Sequence, residues 1–180
     1  MSQTVILVRH GEKPGADLPG AGVDEAGNQD PESLLVRGWQ RAGGLAGLIA
    51  GGSRGFGRPD RIFASGVFKK DGTGSRSKRP LQTIAPLASK LGLSPIDEFS
   101  KGQETALAAA LVRLDGVTLV SWQHESIPKI VDAIMGASGS RSWPDARFDL
   151  IWILERASAA SDWSFAETGQ GLLAGDAGAP

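Results

Sequence analysis

The stretch TVILVRHGE, residues 4–12, sets the fold of the chain. Its first five residues are apolar or β-branched, and the apolar run stops abruptly at Arg9, His10 and Gly11. A short, continuous apolar run of this kind is typical of a strand that is buried on both faces of a sheet. We therefore predict a first strand over residues 4–8 that places Arg9 and His10 at its carboxyl end.

Short apolar runs and helical periods alternate along the rest of the chain. Glycine- and proline-rich breaks separate them, including a long aperiodic loop over residues 13–33. Further strands are predicted over residues 61–65, 93–96, 117–122, 150–154 and 163–167, and helices over 34–49, 80–91, 104–114 and 127–135. This order predicts an α/β fold, a single three-layer domain over residues 1–170 whose mostly parallel central sheet is flanked by helices. The Gly- and Ala-rich residues 171–180 are expected to form a loose tail.

Composition removes several classes of protein. The 180 residues are enough for one domain, and 41% of them are hydrophobic, which is ample for a single core. The formal net charge of −1 gives no overall attraction to nucleic acid or to a membrane surface. Because the chain has no cysteine, disulfide frameworks, thiolate zinc sites and a cysteine nucleophile are excluded. The amino-terminus lacks the pattern of a secretion signal, and no apolar stretch is long enough to span a membrane, so we expect a cytoplasmic protein.

The chain has two histidines, and each comes just after a predicted strand. His10 follows the strand of residues 4–8, and His124 follows the strand of residues 117–122. Ligands of open α/β sheets bind beyond the carboxyl ends of the strands, so both imidazoles are predicted to face one pocket. The alternative is two unrelated histidines, each with its own hydrogen-bond partners.

Two arginines accompany these histidines. Arg9 precedes His10, and Arg79 begins the helix that follows the second strand. Guanidinium groups bind phosphate oxygens through a planar fork. In the transition state of phosphoryl transfer, negative charge is spread over three oxygens, and fixed cations stabilise it. Gly11 leaves room for backbone amides to approach an anion. These residues predict an enzyme that handles phosphate.

Four features of the sequence, taken in order, resemble the histidine phosphatase superfamily, which is also called the phosphoglycerate mutase-like superfamily. They are LVRHGE at residues 7–12, LVRGWQRA at 35–42, RPLQT at 79–83, and His124 after the fourth strand. The resemblance extends over residues 4–155, and it implies the α/β fold of that superfamily.

The resemblance also implies a role for each site residue. His10 attacks phosphorus in line and becomes phosphohistidine, while Arg9, Arg79 and His124 hold the three nonbridging oxygens and Gly11 belongs to the substrate-binding turn. Water then releases inorganic phosphate. Attack requires a neutral His10 ring whose other nitrogen is tied by a hydrogen bond, which we expect to go to a backbone carbonyl. His124 is more useful when protonated, and a dianionic substrate favours that form.

The superfamily places the proton donor for the leaving group in two different ways. One branch uses a carboxylate after the third strand, where this chain has Asp97, Glu98 and Glu104. The other uses an acid directly after the second histidine, where this chain has Glu125. We place the acid at Glu125, because its position beside His124 does not depend on the weak third strand. Glu98 and Glu104 are the alternatives.

The region before the RPLQT motif departs from the superfamily pattern, in which a serine that ends the second strand shortly precedes the arginine. Here Ser65 has the strand-end position, whereas Ser75 has the spacing to Arg79. An insertion within residues 66–78 accounts for both, and it leaves open whether Arg79 or Arg76 reaches the phosphate. The basic residues of this stretch form either a solvated surface or a guide for an anionic substrate; they are Lys69, Lys70, Arg76 and Lys78.

Together these features predict a metal-independent phosphatase that needs no cofactor. Its partners are expected to be a phosphorylated small molecule or a phosphorylated protein, with inorganic phosphate as the product and no nucleic acid or membrane. A phosphoglycerate-type mutase is the alternative, although loop 13–33 does not resemble the tight shield from water that a mutase needs. A catalytically inactive phosphate-binding or interaction module is the third possibility. Residues 143–145 form either an ordinary turn or part of a substrate pocket.

Overall fold

Strands and helices alternate along the chain as predicted. The computed structural model describes residues 1–15, 18–52, 55–68, 76–136 and 141–177, and this part of the chain contains five strands and four helices. The strands are β1 (Gln3–Arg9), β2 (Arg61–Ala64), β3 (Gly116–Trp122), β4 (Leu150–Arg156) and β5 (Ser164–Gly169), and the helices are α1 (Val36–Ala50), α2 (Arg79–Leu91), α3 (Glu104–Leu111) and α4 (Ile127–Met135). None of the helices in these described ranges is long and apolar enough to cross a membrane.

The sheet is mixed, and its strand order is β2-β3-β1-β4-β5. β3 pairs in parallel with both β1 and β2, whereas β4 pairs antiparallel with both β1 and β5. The α/β class is confirmed, but the prediction of a mostly parallel sheet is wrong for the half that contains β4 and β5. The connection between these two strands is too short for a parallel crossover, and an apolar run such as residues 150–154 carries no sign of its direction.

The sheet lies between two helical layers, because its strands bury side chains on both faces. Val5 and Leu7 of β1 pack in a core that includes side chains of α3 and α4. Ile6 and Val8 pack in a second core with side chains of α1 and α2. This alternation along one short strand gives the three-layer architecture that the sequence predicts.

Proline and glycine fix the ends of α2 and α4. Helix α2 has Pro80 in its first turn and ends at Gly92, whose φ of 68° is left-handed. Helix α4 has Pro128 in its first turn and ends at Gly136, with a φ of 67°. Proline suits a first turn because its missing amide hydrogen has no partner there, and glycine adopts a positive φ without strain. The start of α2 at this point places Arg79 in its first turn.

The prediction of a third strand over residues 93–96 is wrong. Within the described chain only Ile96 forms a bridge to β2, opposite Phe63. Pro95 has no amide hydrogen to donate to a longer ladder. Asp97 and Glu98 therefore lie in an exposed connection that leads to α3.

The predicted insertion before α2 is described only at its two ends. The amide of Ser77 donates a hydrogen bond to the carbonyl of Val67 at 3.2 Å, which brings the two ends together. Residues 69–75 of the predicted insertion, which include Lys69, Lys70 and Ser75, lie outside the described part of the chain.

The carboxyl-terminal residues 171–177 pack against α1. The Asp176 carboxylate lies 2.7 Å from Nη2 of Arg41, and it accepts hydrogen bonds from two backbone amides of its own segment. Arg41 is almost fully buried, and its guanidinium also lies 2.8 Å from the carboxylate of Glu12. These contacts differ from the expected loose tail, because one carboxylate among the glycines and alanines, that of Asp176, holds the segment against α1. Residues 178–180 lie outside the described part of the chain.

Two glycines let α1 approach the turn that follows β1. A Cβ atom at Gly38 would lie 2.7 Å from the carbonyl oxygen of Glu12, and one at Gly11 would lie 3.0 Å from the carbonyl oxygen of Gly38. Both neighbours are backbone atoms, which cannot move aside as a flexible side chain does. The turn after Arg9 and His10 is therefore seated directly against α1.

Replacing Gly38 with alanine is expected to destabilise the fold by about 1–3 kcal/mol, the usual cost of extra atoms in a packed interior. Gly47→Ala is the matched control on the same helix, because a Cβ there meets no atom within 4 Å and alanine is favoured over glycine in a helix by about 0.5–1 kcal/mol. Urea unfolding should show a lower midpoint for Gly38→Ala and an unchanged or higher one for Gly47→Ala. Equal midpoints for the two variants would contradict the close approach.

Candidate functional site

His10 extends the parallel pairing of β1 and β3 by one residue, since its amide donates to the carbonyl of Trp122 at 3.1 Å. Its buried ring places Nδ1 2.8 Å from the carbonyl oxygen of Gly11. A carbonyl only accepts, so Nδ1 carries the proton and Nε2 carries the lone pair. None of the described residues hydrogen-bonds to Nε2. The prediction that one ring nitrogen is tied to a backbone carbonyl is confirmed.

The electrostatic surroundings keep His10 neutral. The pKa of His10 is lowered to about 3, mainly by burial and also by the charges of Arg9, Arg79 and Lys13, against the opposing effect of the Gly11 hydrogen bond. The ring is therefore uncharged at neutral pH, as a nucleophilic imidazole must be.

Arg9 is a buried cation whose hydrogen bonds are incomplete. Its Nη1 donates to the carbonyls of Asp145 and Arg147, and its guanidinium carbon lies 3.6 Å above the ring of Phe148. Its Nε has no partner in the part of the chain that the structure describes. Burial outweighs the opposing effect of nearby carboxylates such as Glu125, so that the pKa of Arg9 falls to about 10. The group remains charged at pH 7, and it suits an anionic ligand.

Thr83 links the RPLQT motif to the turn after β1. Its hydroxyl accepts a hydrogen bond from the Gly11 amide at 2.8 Å and donates one to the Arg79 carbonyl at 2.7 Å. The Gly11 amide, which the sequence places toward a bound anion, is therefore engaged by Thr83. Glycine is needed at position 11 because α1 packs so closely against the turn that a side chain would not fit.

Arg79, rather than Arg76, lies near His10. The Arg79 guanidinium donates to the backbone carbonyls of Ser33 and Pro31, and its charge is one of those that lower the pKa of His10. Burial lowers the pKa of Arg79 itself. Arg76 instead stacks on a phenylalanine ring, with 5.1 Å between guanidinium carbon and ring centre.

His124 lies between two carboxylates. Its Nε2 is 3.0 Å from Oδ1 of Asp145, and its Nδ1 is 3.0 Å from Oε2 of Glu125 without the alignment of a hydrogen bond. Burial and the charge of Arg9 lower the pKa of His124, and the two carboxylates only partly oppose them. A phosphate dianion beside this ring would raise its pKa.

Contacts join the predicted site residues in two groups, one with Arg9 and His124 and the other with His10 and Arg79. The groups meet at Arg9 and His10, which are neighbours in the chain. Arg9 and His124 both bond to Asp145, while His10 is linked to Arg79 through the Gly11 turn and Thr83. A cavity of about 520 Å³ adjoins the first group and is lined by Arg9 and His124 among others. His10 and Arg79 do not line this cavity.

Ser65 directly follows β2, at the same edge of the sheet as His124. Its buried hydroxyl accepts a hydrogen bond at 3.0 Å from Nε2 of Gln123, the residue before His124. Of the two serines that the sequence offers, Ser65 therefore has a contact beside the site, and Ser75 lies outside the described residues.

Glu125 is held as a carboxylate. Its Oε1 lies 2.5 Å from Nζ of Lys101. Partial burial alone would raise the pKa of Glu125, but the hydrogen bond and charge of Lys101, with a further contribution from His124, lower it to about 2. Glu125 is thus beside His124 as the sequence predicts, and it is ionised at neutral pH.

The two alternative acids occupy different surroundings. Glu104 begins α3, and its Oε1 accepts hydrogen bonds from the indole of Trp122 at 3.1 Å and from the amide of Gly102 at 2.9 Å. Burial raises the pKa of Glu104, but these hydrogen bonds outweigh it and lower the pKa overall. One Glu104 oxygen is therefore engaged in joining α3 to β3, and Glu98 is exposed to solvent.

Sequence reasoning missed Lys101 and Phe148, and it gave Thr83 no role of its own. Lys101 is one basic residue in a polar connection, so its pairing with Glu125 leaves no local signal. Phe148 lies in a turn without apolar periodicity. Thr83 belongs to the RPLQT motif, which is the signal that finds it. Within the ranges described, no group of three or more His, Asp or Glu side chains is arranged to hold a metal ion.

Solved structures that share the fold of this chain include three phosphatases, although no protein-family model and no curated protein matches its sequence. The protein histidine phosphatase SixA, complexed with tungstate, aligns over 93% of this chain and 97% of its own, with a TM-score of 0.59 and 16% identity. A mycobacterial glucosyl-3-phosphoglycerate phosphatase aligns over 92% and 97%, with a TM-score of 0.56 and 14% identity. A mutant phosphoserine phosphatase from Entamoeba histolytica, in complex with phosphoserine, aligns over 95% and 99%, with a TM-score of 0.54 and 13% identity.

These alignments cover nearly the whole of each chain, so the domain has the same fold as these three phosphatases, which is the fold that the sequence resemblance implies. Because the sequence identities are only 13% to 16%, the similarity concerns the fold alone.

Lys101→Ala is expected to raise the pKa of Glu125 from about 2 toward the ordinary glutamate value of about 4.3, because the variant removes the cation that favours the carboxylate. Carbon-13 NMR titration of the glutamate carboxyl groups measures this directly. Lys90→Ala, on the exposed last turn of α2, is the control and should leave Glu125 unchanged. An unchanged Glu125 pKa in Lys101→Ala would show that the ion pair does not form in solution.

Proposed function

We propose that the protein is a metal-independent phosphatase that hydrolyses a phosphomonoester, or a related phosphorylated group, through a phosphohistidine on His10. The observation that carries this proposal is the state of His10. The ring is buried and neutral, Nδ1 is tied to the Gly11 carbonyl, and Nε2 keeps its lone pair beside the buried cation Arg9. This arrangement supports in-line attack on phosphorus.

In the first step, the lone pair of His10 Nε2 forms a bond to phosphorus as the bond to the leaving oxygen breaks. The ring gains positive charge, which the hydrogen bond from Nδ1 to the Gly11 carbonyl offsets in part. The leaving oxygen takes a proton from an acid of the site. In the second step, water attacks phosphorus and gives a proton back to the carboxylate that acted as the acid. The N–P bond breaks, and His10 returns to its neutral form as inorganic phosphate leaves.

Arg9, Arg79 and His124 are proposed to hold the nonbridging oxygens. The Nε of Arg9 has no partner among the described residues. The charge of Arg79, like that of Arg9, lowers the pKa of His10, so both cations lie near this ring. His124 becomes protonated when the dianion arrives, because an opposite charge favours the imidazolium. Fixed cations of this kind stabilise the charge that develops on the transferring group.

Glu125 remains our proposed proton donor, with Glu98 and Glu104 as alternatives. It adjoins His124, whereas Glu104 has an oxygen committed to Trp122. Glu125 must first gain a proton, since Lys101 keeps it ionised. A phosphate dianion next to this carboxylate raises its pKa, which favours that gain as substrate binds.

Hydrolysis is favoured over phosphoglycerate-type mutase activity, because the three solved structures compared above are all of phosphatases. Their names span a protein phosphatase and phosphatases of small molecules. Both substrate classes therefore remain part of the proposal, as does the expected cytoplasmic location. An inactive phosphate-binding module is disfavoured by the presence of His10, Arg9, Arg79 and His124.

His10→Ala is expected to lower the hydrolysis of p-nitrophenyl phosphate by at least about 10³-fold, since no other nucleophile replaces the ring. Brief incubation with phosphorus-32-labelled substrate should label the wild type with a base-stable, acid-labile group and leave His10→Ala unlabelled.

Incubation with 3-phosphoglycerate and a bisphosphate primer should yield free phosphate. A rearranged isomer without free phosphate would identify a mutase, and phosphate binding without turnover of a broad ester panel would identify an inactive module.

Glu125→Gln is expected to slow the hydrolysis of an alkyl phosphate by about 10²–10⁴-fold, the usual contribution of a positioned acid. The same variant should largely spare p-nitrophenyl phosphate, because nitrophenolate leaves without a proton. The comparison variants are Glu98→Gln and Glu104→Gln, each measured with both substrates. A selective loss on the alkyl ester in either of them, with small and equal losses in Glu125→Gln, would move the acid to the connection before α3.

A further inference from the structure

The turn of residues 143–149 lies against two of the proposed phosphate-binding groups. The carboxylate of Asp145 is 3.0 Å from Nε2 of His124, and the backbone carbonyl of the same residue accepts a hydrogen bond from Arg9. Phe148, from the same turn, stacks on the Arg9 guanidinium. One turn, distant in sequence from both groups, therefore supplies oxygen ligands to each.

Packing fixes the position of this turn. Trp143 is buried, and its ring centre lies 5.0 Å from that of Trp152 in β4. Its indole nitrogen donates to the carbonyl of Arg147 at 2.8 Å, and the amide of Arg147 donates to the carbonyl of Pro144 at 3.0 Å. The contact between Asp145 and His124 is thus set by an anchored turn rather than by a free loop.

Nε2 is the nitrogen of His124 that a phosphate oxygen can reach. Nδ1 is buried and turned toward Glu125. A phosphate that hydrogen-bonds to His124 must therefore do so at Nε2, which is the atom that Asp145 contacts. Two anions cannot both accept this single hydrogen at full strength, and their like charges repel each other.

We propose that Asp145 is an internal competitor for phosphate, which determines how tightly the site retains its product. Asp145 holds Nε2 of His124 between turnovers, yields it to the incoming phosphate group, and takes it back as inorganic phosphate leaves. The Asp145 side chain is 94% exposed, so it moves into solvent without burying its charge. This role rests on the proposed function, because it assigns the phosphate site to the same residues.

A supporting role for Asp145 predicts the opposite effect. If its carboxylate served mainly to hold His124 protonated and oriented, its removal would weaken phosphate binding. The other charged groups around His124 are Arg9, Glu125 and, through Glu125, Lys101. They are unchanged in an Asp145 variant, so the direction of the change in phosphate affinity separates the two roles.

The test is the inhibition constant of inorganic phosphate against p-nitrophenyl phosphate hydrolysis, measured for the wild type and Asp145→Asn. We expect the constant to fall by about 3- to 10-fold in the variant, a range suited to one exposed charge, and the difference to shrink as salt rises. Asp145→Ala should show the same direction. Asp162→Asn, an exposed residue between β4 and β5, carries the same charge change and should match the wild type.

An inhibition constant that is unchanged or higher in both Asp145 variants would overturn the proposal. NMR titration of the His124 ring with inorganic phosphate provides a second measurement that needs no turnover. Tighter phosphate binding by Asp145→Asn in a protein that hydrolyses no ester would preserve this inference and refute the proposed function. The absence of any phosphate binding to the wild type would refute both.

Discussion

The parallel pairing of β1 with β3 is the constraint on which the site depends. Arg9 lies opposite Trp122 in this register, and the amide of His10 continues the ladder to the Trp122 carbonyl. Parallel strands end at the same edge of a sheet, so His10 and His124 emerge from one edge rather than from opposite ends. A slip of one residue would also exchange the side chains that face the two helical layers. The same hydrogen bonds therefore fix the core and the site.

Burial has different consequences for two neighbouring residues of this edge. It lowers the pKa of Arg9 to about 10 and that of His10 to about 3. An arginine starts so far above neutral pH that it stays charged, whereas a histidine starts close to neutral pH and loses its proton. One low-dielectric environment thus supplies both a fixed cation and a neutral imidazole.

Features carried by neighbouring residues could be predicted from the sequence. Local patterns predict the bounds of β1 to within one residue and the bounds of α4 as observed. The chemistry of a neutral imidazole predicts a hydrogen bond from His10 to a backbone carbonyl, which is that of Gly11. The pairs Lys101–Glu125 and Asp176–Arg41 could not be found in this way, because each joins distant positions and single charges in polar segments resemble solvated surface. The direction of β4 likewise depends on the path of the chain, which its apolar side chains do not reveal.

The anchored turn of residues 143–149 also bears on how a buried cation is tolerated. Removing an arginine from water is costly unless it gains partners, and the carbonyls of Asp145 and Arg147 with the ring of Phe148 provide them for Arg9. These groups are dipoles and a π face rather than paired charges, so they compensate the guanidinium only in part, as its lowered pKa indicates. Under the proposed function, a phosphate group brings the full negative charge that they lack. The environment that lets Arg9 remain buried therefore leaves most of the electrostatic stabilisation to the anion itself.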